Sequence, residues 1–294
     1  MRRLPIKMDG DELFLDKNDA ATFGLSRAGE YKNSTHFNHI IIDNFLPKRL
    51  ANNFLNNFPS TTTKNARVFT DKNFEFKKRG FSPYECKQPL LNHFLFFNSE
   101  PFLYFLESIT GIKGLISDPR FLGGGLHEIE KDGKLGIHAD FRIHTDLHLQ
   151  RRINVLIYLN KNWSDIYGGN LELWDKKMTS CFKKIKPIFN RCVIFNTDPE
   201  SYHGHPEPLQ SPISKTRKSI ALYYYSASKS IYDEIPRDTT QFQARNNSEK
   251  KELESRRKFS LSKIITNEIL PPFIVKNARK GLLYFKEYMR SKKH

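Results

Sequence analysis

The sequence has 294 residues and a formal net charge of +16, with 48 Lys and Arg against 32 Asp and Glu. Because 38% of the residues are hydrophobic and 13% aromatic, the chain can bury a core, which excludes intrinsic disorder over most of its length. No apolar run reaches the roughly 18–20 residues that a membrane-spanning helix needs. The basic N-terminus is not followed by the apolar stretch of a secretory signal. Three cysteines, odd in number and far apart, argue against a disulfide framework and predict a reducing, cytoplasmic location.

The positive charge is concentrated at the C-terminus. Residues 245–294 contain 14 Lys and Arg and 5 Asp and Glu, which is more than half of the net excess. Within them, apolar residues at helical spacing predict a basic amphipathic helix, with Val275, Ala278, Leu282, Phe285 and Met289 on one face. One hypothesis is that this segment binds a nucleic acid or another anionic partner. The favoured alternative is that its apolar stripe docks on the core or on a second subunit of a homodimer.

The first part of the chain predicts a few helices around one strand. Residues 1–35 are polar and mixed, which indicates a partly ordered lead-in, and His36–Phe45 is typical of a strand. A helix is predicted from Pro47 to about Phe58, because proline suits the first helical turn and apolar residues recur at helical spacing. Residues 60–80 show no clear period and predict a loop.

A second helical region and then a series of strands follow. The helical region spans about Pro89–Thr110, and Gly111 is expected to end it. Between Phe121 and Ala227 the pattern indicates short strands, at Arg152–Asn160, Asn170–Trp174, Arg191–Asn196 and Lys218–Tyr225. Strands that follow one another without intervening helices indicate an antiparallel sandwich or jelly roll, so the predicted fold class is α+β with a mainly β core. Three segments are expected: N-terminal supporting helices in 1–120, a catalytic core in 121–230 and a basic helical segment in 231–294.

Histidines concentrate in the strand region, at His127, His138, His144, His148, His203 and His205. Two of them begin His-x-Asp triplets, His138 to Asp140 and His144 to Asp146. In a strand, residues i and i+2 point to the same face, so such a triplet brings an imidazole and a carboxylate to one point. A third histidine from a strand across the barrel would complete the 2-His-1-carboxylate triad of non-heme Fe(II) oxygenases.

The order of these motifs resembles the 2-oxoglutarate- and Fe(II)-dependent dioxygenase superfamily, in its prolyl 4-hydroxylase-like branch. The matching segments are GIHADF (136–141), RRINVLIYLNKNW (151–163), YGGNLELWD (167–175), NRCVIFNT (190–197), SYHGHP (201–206) and RKSIALYYY (217–225). The resemblance covers about residues 120–227, and HIIIDNFLP (39–47) more weakly. It implies a double-stranded β-helix of the jelly-roll or cupin type, with flanking helices at its N- and C-terminal ends.

The resemblance also implies the roles of individual residues. His138, Asp140 and His203 would be the catalytic iron ligands. Arg217 would pair with the distal carboxylate of 2-oxoglutarate, with hydroxyl groups from Ser219 and Tyr158. Together with Fe(II) and O2, and with ascorbate in a supporting role, this set would hydroxylate an unactivated C–H bond and release succinate and CO2.

Several alternatives compete with this assignment. The second triplet, His144 and Asp146, is a weaker candidate for the metal, and His205 could take the place of His203. His127 is expected to line the pocket or to form a hydrogen bond in the core. Arg151 and Arg152 could bind substrate, but a solvated strand end is the favoured interpretation.

The substrate is the least determined part of the prediction. A prolyl residue in a peptide is the default in this branch, and a free amino acid, a sugar or a nucleotide-linked small molecule fits as well. Residues 60–85 and 142–150 are expected to form the loops of the pocket. The rival hypothesis from another class is a non-catalytic β-helix binding protein, against which the full set of ligands and the arginine argue.

Overall fold

The computed structural model describes residues 3–60, 66–227 and 240–264. They belong to two compact units, Met1–Gln243 and Ala244–His294. In the second unit, Asn247–Ile264 forms a helix, and the predicted amphipathic helix around Leu282 lies outside the described residues. Within the described ranges, no helix has the length and apolar character needed to cross a membrane. The division into segments 1–120, 121–230 and 231–294 stays a prediction.

The N-terminal lead-in is folded. It contains a short hairpin, β1 (Lys7–Asp9) and β2 (Glu12–Phe14), followed by the helix α1 (Lys17–Lys32). The side chain of Asp16 caps α1 by accepting hydrogen bonds from the backbone N–H groups of Asn18 and Asp19. The helix is held by its packing rather than by a long apolar pattern, which is why the sequence alone does not reveal it.

Three further helices support the sheet. The strand β3 (His39–Ile42) precedes α2 (Lys48–Asn56), as predicted. The predicted helical region after Pro89 is two helices, α3 (Leu90–Phe96) and α4 (Glu100–Thr110). Helix α1 packs closely on α4, where a Cβ at Gly24 would lie only 2.6 Å from the carbonyl oxygen of Phe105.

Residues 60–80, which were predicted to form a loop, contain strand structure. They include β4 (Arg67–Asp71) and the start of β5 (Glu75–Phe81), which pair as an antiparallel hairpin. Strand β5 also pairs with a later strand, where Arg79 donates a hydrogen bond of 2.7 Å to the buried carboxylate of Glu128. Because the partner of this buried arginine lies far along the chain, local periodicity could not identify the strand.

The remaining strands complete the core: β6 (Ile116–Ser117), β7 (Gly125–Ala139), β8 (Gln150–Tyr158), β9 (Leu171–Trp174), β10 (Cys181–Ile185), β11 (Cys192–Asn196), β12 (His203–His205), β13 (Arg217–Ser226) and β14 (Gln241–Phe242). In the described part of the chain, 12 strands join in one antiparallel sheet with the main order β10-β9-β12-β7-β13-β8-β11-β3. The sheet curls into a double-stranded β-helix, which confirms the predicted fold class.

The two faces of β8 and β13 separate the core from a cavity. Ile153, Val155 and Ile157 of β8 pack with the helices in the main hydrophobic core, as their alternation predicted. The intervening residues of β8, including Asn154 and Tyr158, line a cavity of about 400 Å³ on the other face. The fold therefore directs one set of alternating side chains towards a single internal chamber.

Candidate active site

Two histidines and one aspartate meet in this chamber. His203 of β12 lies directly opposite His138 of β7 in the antiparallel ladder, and their ring centroids are 4.4 Å apart. Asp140 follows the end of β7, with Oδ1 3.6 Å from Nε2 of His138 and Oδ2 3.5 Å from Nε2 of His203. One ligand atom from each of the three residues lies within 4.8 Å of the other two. The structure thus brings together the three residues that the sequence analysis selected.

The backbone sets the orientation of both imidazoles. Nδ1 of His138 is 2.9 Å from the carbonyl oxygen of Gly136, and Nδ1 of His203 is 2.9 Å from the carbonyl oxygen of Ser201. Each Nδ1 therefore carries the proton, and each Nε2 is left with a lone pair directed at the cluster. Burial lowers the pKa of His203 to about 4, so this ring is neutral near pH 7.

A glycine allows the two strands that carry the histidines, β7 and β12, to approach each other. A Cβ at Gly204, between His203 and His205, would lie 2.6 Å from the carbonyl oxygen of Gly136. A side chain at this position would push β12 away from β7, so the close pairing of the two histidines depends on glycine.

Asp140 is held by two residues of β8. Nδ2 of Asn154 donates a hydrogen bond of 2.6 Å to Oδ2 of Asp140, and Nη2 of Arg151 lies 3.2 Å from the same oxygen. Burial by itself raises the pKa of Asp140, but Arg151 and His203 outweigh it and hold that pKa well below its ordinary value. The carboxylate is therefore ionised throughout the physiological range.

This role of Arg151 was not predicted from the sequence. The favoured interpretation of Arg151 and Arg152 as a solvated strand end is wrong for Arg151, whose side chain is 1% exposed. Its guanidinium lies between two aromatic rings, 4.4 Å from the centroid of Phe141 and 3.5 Å from that of Tyr223. The signals available in the sequence were Phe141, which follows Asp140, and the tyrosines that end RKSIALYYY (217–225).

A second cationic group, Arg217, also lines the chamber. Arg217 is buried, its Nε donates to the carbonyl oxygen of Gly169 at 2.8 Å, and Nη2 donates to the Tyr158 hydroxyl at 3.3 Å. Ser219 lies beside Tyr158 in the pairing of β13 with β8, and both line the chamber. No carboxylate in the described residues lies within ion-pair distance of Arg217, although burial lowers the pKa of this guanidinium. A buried cation of this kind favours an anionic ligand.

His205 and His127 also line the chamber. Nε2 of His127 is 3.0 Å from the carbonyl oxygen of Gly123, in agreement with the expected pocket-lining or hydrogen-bonded role. His205 is 3% exposed, and neither ring nitrogen has a hydrogen-bond partner among the residues that the structure describes. It is not in the His-Asp-His cluster, so the structure does not support its exchange with His203 as a ligand.

The second His-x-Asp triplet lies elsewhere and has a structural role. His144 is fully buried; its Nε2 lies 3.3 Å from Asp118, and its Nδ1 accepts from the backbone N–H groups of Asp146 and Leu147. Asp146 is exposed and pairs with Arg120. This histidine therefore fixes the turn after β7, part of the predicted pocket loop, and does not belong to the His-Asp-His cluster.

The fold and this cluster define a double-stranded β-helix with a 2-His-1-carboxylate site. Residues 124–225 match the family model described as the 2OG-Fe(II) oxygenase superfamily. The chain is 33% identical over 89 residues to the prolyl 3-hydroxylase OGFOD1 of Mus musculus, a match covering 29% of this chain and 16% of the mouse protein. It also resembles in fold a prolyl-4-hydroxylase crystal structure from Pseudomonas putida, with a TM-score of 0.52, 14% identity, and coverage of 70% of this chain and all of the bacterial chain.

The match to the 2OG-Fe(II) oxygenase superfamily covers residues 124–225, the β core of this chain. This match confirms the resemblance identified from the sequence motifs, since the matched residues contain all three members of the cluster as well as Arg217.

Proposed function

We propose that the protein is an Fe(II)- and 2-oxoglutarate-dependent oxygenase that hydroxylates an unactivated C–H bond, with a prolyl residue in a peptide as the favoured substrate. The single observation that carries this proposal is the buried cluster of His138, Asp140 and His203 in the same chamber as Arg217. The similarity to the mouse prolyl 3-hydroxylase supports the prolyl substrate.

The three donor groups fit Fe(II). Two imidazole Nε2 atoms with free lone pairs and one ionised carboxylate are the donor set of non-heme iron oxygenases. Metal binding requires neutral histidines and a deprotonated acid. The burial of His203 supplies a neutral imidazole, and the Arg151 guanidinium beside Asp140 keeps that carboxylate ionised. In this proposal His138, Asp140 and His203 hold the iron, which supplies the O2 chemistry when it is bound with 2-oxoglutarate.

The remaining residues bind and orient the cosubstrate. Arg217 offers a planar guanidinium, which can bind a carboxylate through two parallel hydrogen bonds. The hydroxyl groups of Tyr158 and Ser219 stand beside it as further donors. Because Arg217 is buried, its attraction for the distal carboxylate of 2-oxoglutarate is little weakened by water.

The chamber has the size and lining of a binding site for a small group of a larger substrate. Its lining includes Phe69 of the β4–β5 hairpin, together with Phe141 and Thr145 from the turn after β7. Phe69 and Thr145 lie in the two segments, 60–85 and 142–150, that were predicted to form the pocket. All three cysteines are free, which supports the proposed cytoplasmic location.

The direct test is spectroscopic and does not require the substrate. Under anaerobic conditions, addition of Fe(II) and 2-oxoglutarate to the purified protein should produce the visible metal-to-ligand charge-transfer band of a chelated keto acid. Absence of the band, with the protein folded, would favour a non-catalytic binding protein. Succinate formation with prolyl peptides, sugars and nucleotide-linked compounds then identifies the substrate class.

A further inference from the structure

Asp140 has two oxygens with different surroundings. Oδ2 accepts the 2.6 Å hydrogen bond from Asn154 and lies 3.2 Å from Arg151, while Oδ1 lies on the side of His138. The amide of Asn154 is itself held, since its Oδ1 accepts from Nε of Arg151 at 3.0 Å and from Nη2 at 2.6 Å. The amide therefore cannot rotate without losing hydrogen bonds at both ends.

The whole arrangement is buried and rigid. Asn154 is 2% exposed, and its backbone lies between β11 and β13 in the middle of the sheet. Arg151 is restrained by the rings of Phe141 and Tyr223. Asp140, by contrast, comes after the last residue of β7, where the strand no longer fixes its side chain.

We propose that Asn154 is the positioning residue for the Asp140 carboxylate, and that Arg151 locks the Asn154 amide in the orientation that donates to Oδ2. This inference rests on the proposed function, since it assigns Asp140 to the metal. By donating to Oδ2, the amide fixes the plane of the carboxylate, with Oδ1 3.6 Å from Nε2 of His138 and Oδ2 3.5 Å from Nε2 of His203. Partners of this kind orient metal ligands, and their loss typically reduces metal affinity 10–100-fold.

A matched pair of substitutions tests the role. Asn154→Thr and Asn154→Val have nearly the same shape and both suit a strand, but only threonine has a hydroxyl that can donate to Asp140. The measurement is the Kd for Mn(II), an oxygen-stable substitute for Fe(II), by electron paramagnetic resonance on the full chain. The valine variant should bind Mn(II) about 10–100-fold more weakly than the wild type. The threonine variant should recover most of that affinity.

The controls separate this proposal from the proposed function. Arg152→Met removes the neighbouring arginine, whose Nη1 lies 3.3 Å from Ser226, and should leave the Kd for Mn(II) unchanged. Equal Mn(II) affinity in the folded threonine and valine variants would overturn the positioning role. Failure of the wild-type protein to bind Mn(II) would instead overturn the metal site itself. Circular dichroism and the midpoint of thermal unfolding verify that each variant is folded.

A second inference comes from His205, whose two buried ring nitrogens have no hydrogen-bond partner within the described part of the chain. Native proteins rarely leave such groups unsatisfied, because each costs free energy unless a ligand or water pairs with it. His205 lines the same chamber as Arg217, and the charge of Arg217 is close enough to contribute to lowering the pKa of His205. A neutral imidazole carries one N–H donor and one acceptor.

We infer that His205 donates a hydrogen bond to the bound 2-oxoglutarate and so adds a contact to those of Arg217, Tyr158 and Ser219. His205→Gln and His205→Met are similar in length, but only glutamine keeps a donor. The Kd for 2-oxoglutarate is measured from the anaerobic charge-transfer band, without any other substrate. The methionine variant should bind 2-oxoglutarate roughly tenfold more weakly, as expected for a lost hydrogen bond to a charged group, with partial recovery in the glutamine variant.

An unchanged Kd in the methionine variant, with the band intact, would overturn the role of His205 while leaving the proposed function in place. An effect only on the KM for the hydroxylated substrate would likewise overturn it, since the contact would then belong to that substrate. Absence of the band in the wild type would count against the proposed function.

Discussion

His138 and His203 form a directly opposed pair in two antiparallel strands, with their rings 4.4 Å apart and Asp140 between their Nε2 atoms. The pairing of β7 with β12 makes this meeting a consequence of sheet register rather than of loop conformation. The geometry and the proposed roles lead to four predictions.

Substitution of a proposed iron ligand should abolish turnover. We expect Asp140→Ala and His203→Ala each to eliminate succinate formation from 2-oxoglutarate and to lose bound Fe(II), because two donors cannot retain the ion as three do. Asp146→Ala is the control from the other His-x-Asp triplet; its exposed carboxylate pairs only with Arg120 among the ion pairs of the structure, so activity should be largely retained. Full activity in the Asp140 or His203 variant would refute the ligand assignment.

Arg217 should govern the affinity for 2-oxoglutarate. Arg217→Met removes a charged hydrogen-bonding group, and a loss of about 1.5–3 kcal/mol corresponds to a KM for 2-oxoglutarate raised roughly 10–100-fold. Lys218→Met changes the next residue, which points to the opposite face and pairs with Glu128, so its KM should stay near that of the wild type. Comparable KM values in the two variants would show that the distal carboxylate binds elsewhere.

Stability of the metal-free protein should fall with acidification. Burial lowers the pKa of His203 to about 4 and those of His127 and His205 well below the ordinary value. Unfolded histidine titrates near pH 6.5, so below that pH the unfolded state binds more protons and gains stability relative to the folded state. The stability of the folded protein continues to fall with the pH until the pH reaches the pKa of each histidine in the folded state.

Urea unfolding between pH 7 and pH 5 measures this effect, in a range where most carboxylates remain ionised. Each such histidine contributes up to about 1.4 kcal/mol per pH unit. His127→Gln removes one titrating group and should make the dependence shallower. A flat dependence in the wild type would mean that these rings are not held neutral in the folded protein.

Gly125 should be required at the start of β7. Its φ is +114°, and a Cβ there would lie 2.2 Å from the carbonyl oxygen of Phe81, so Gly125→Ala should destabilise the protein by more than 1 kcal/mol, about the scale of an ordinary glycine effect. Gly29 is the counterpart in α1, where a Cβ meets nothing within 4 Å. Gly29→Ala should therefore stabilise the helix by about 0.5–1 kcal/mol. Urea unfolding should show that the free energy of unfolding falls in Gly125→Ala and rises in Gly29→Ala, relative to the wild type. An unchanged free energy of unfolding in Gly125→Ala would disprove the close contact.

The parts of the fold that the sequence predicted are those with strong local periodicity. The alternation in Arg152–Asn160 identified β8 and its two faces. The spacing of the His-x-Asp triplets left two candidates, and the resemblance to the dioxygenase superfamily selected His138 and Asp140. The hairpin before Phe81 was missed because its burial depends on partners in β7. The alternation placed Asn154 in a strand but did not identify it as a partner of Asp140. A hydrogen bond between a strand and the turn before it leaves no periodic pattern in the sequence.

The imidazoles of His138 and His203 are both oriented by main-chain carbonyl oxygens, those of Gly136 and Ser201. No side-chain replacement elsewhere can remove these two acceptors, as long as the strands keep their course. The β4–β5 hairpin, which lines the chamber through Phe69 and Lys78, supplies neither acceptor. Mutations can therefore accumulate in this hairpin and change which molecule enters, while the two acceptors and the histidines that they orient are inherited unchanged.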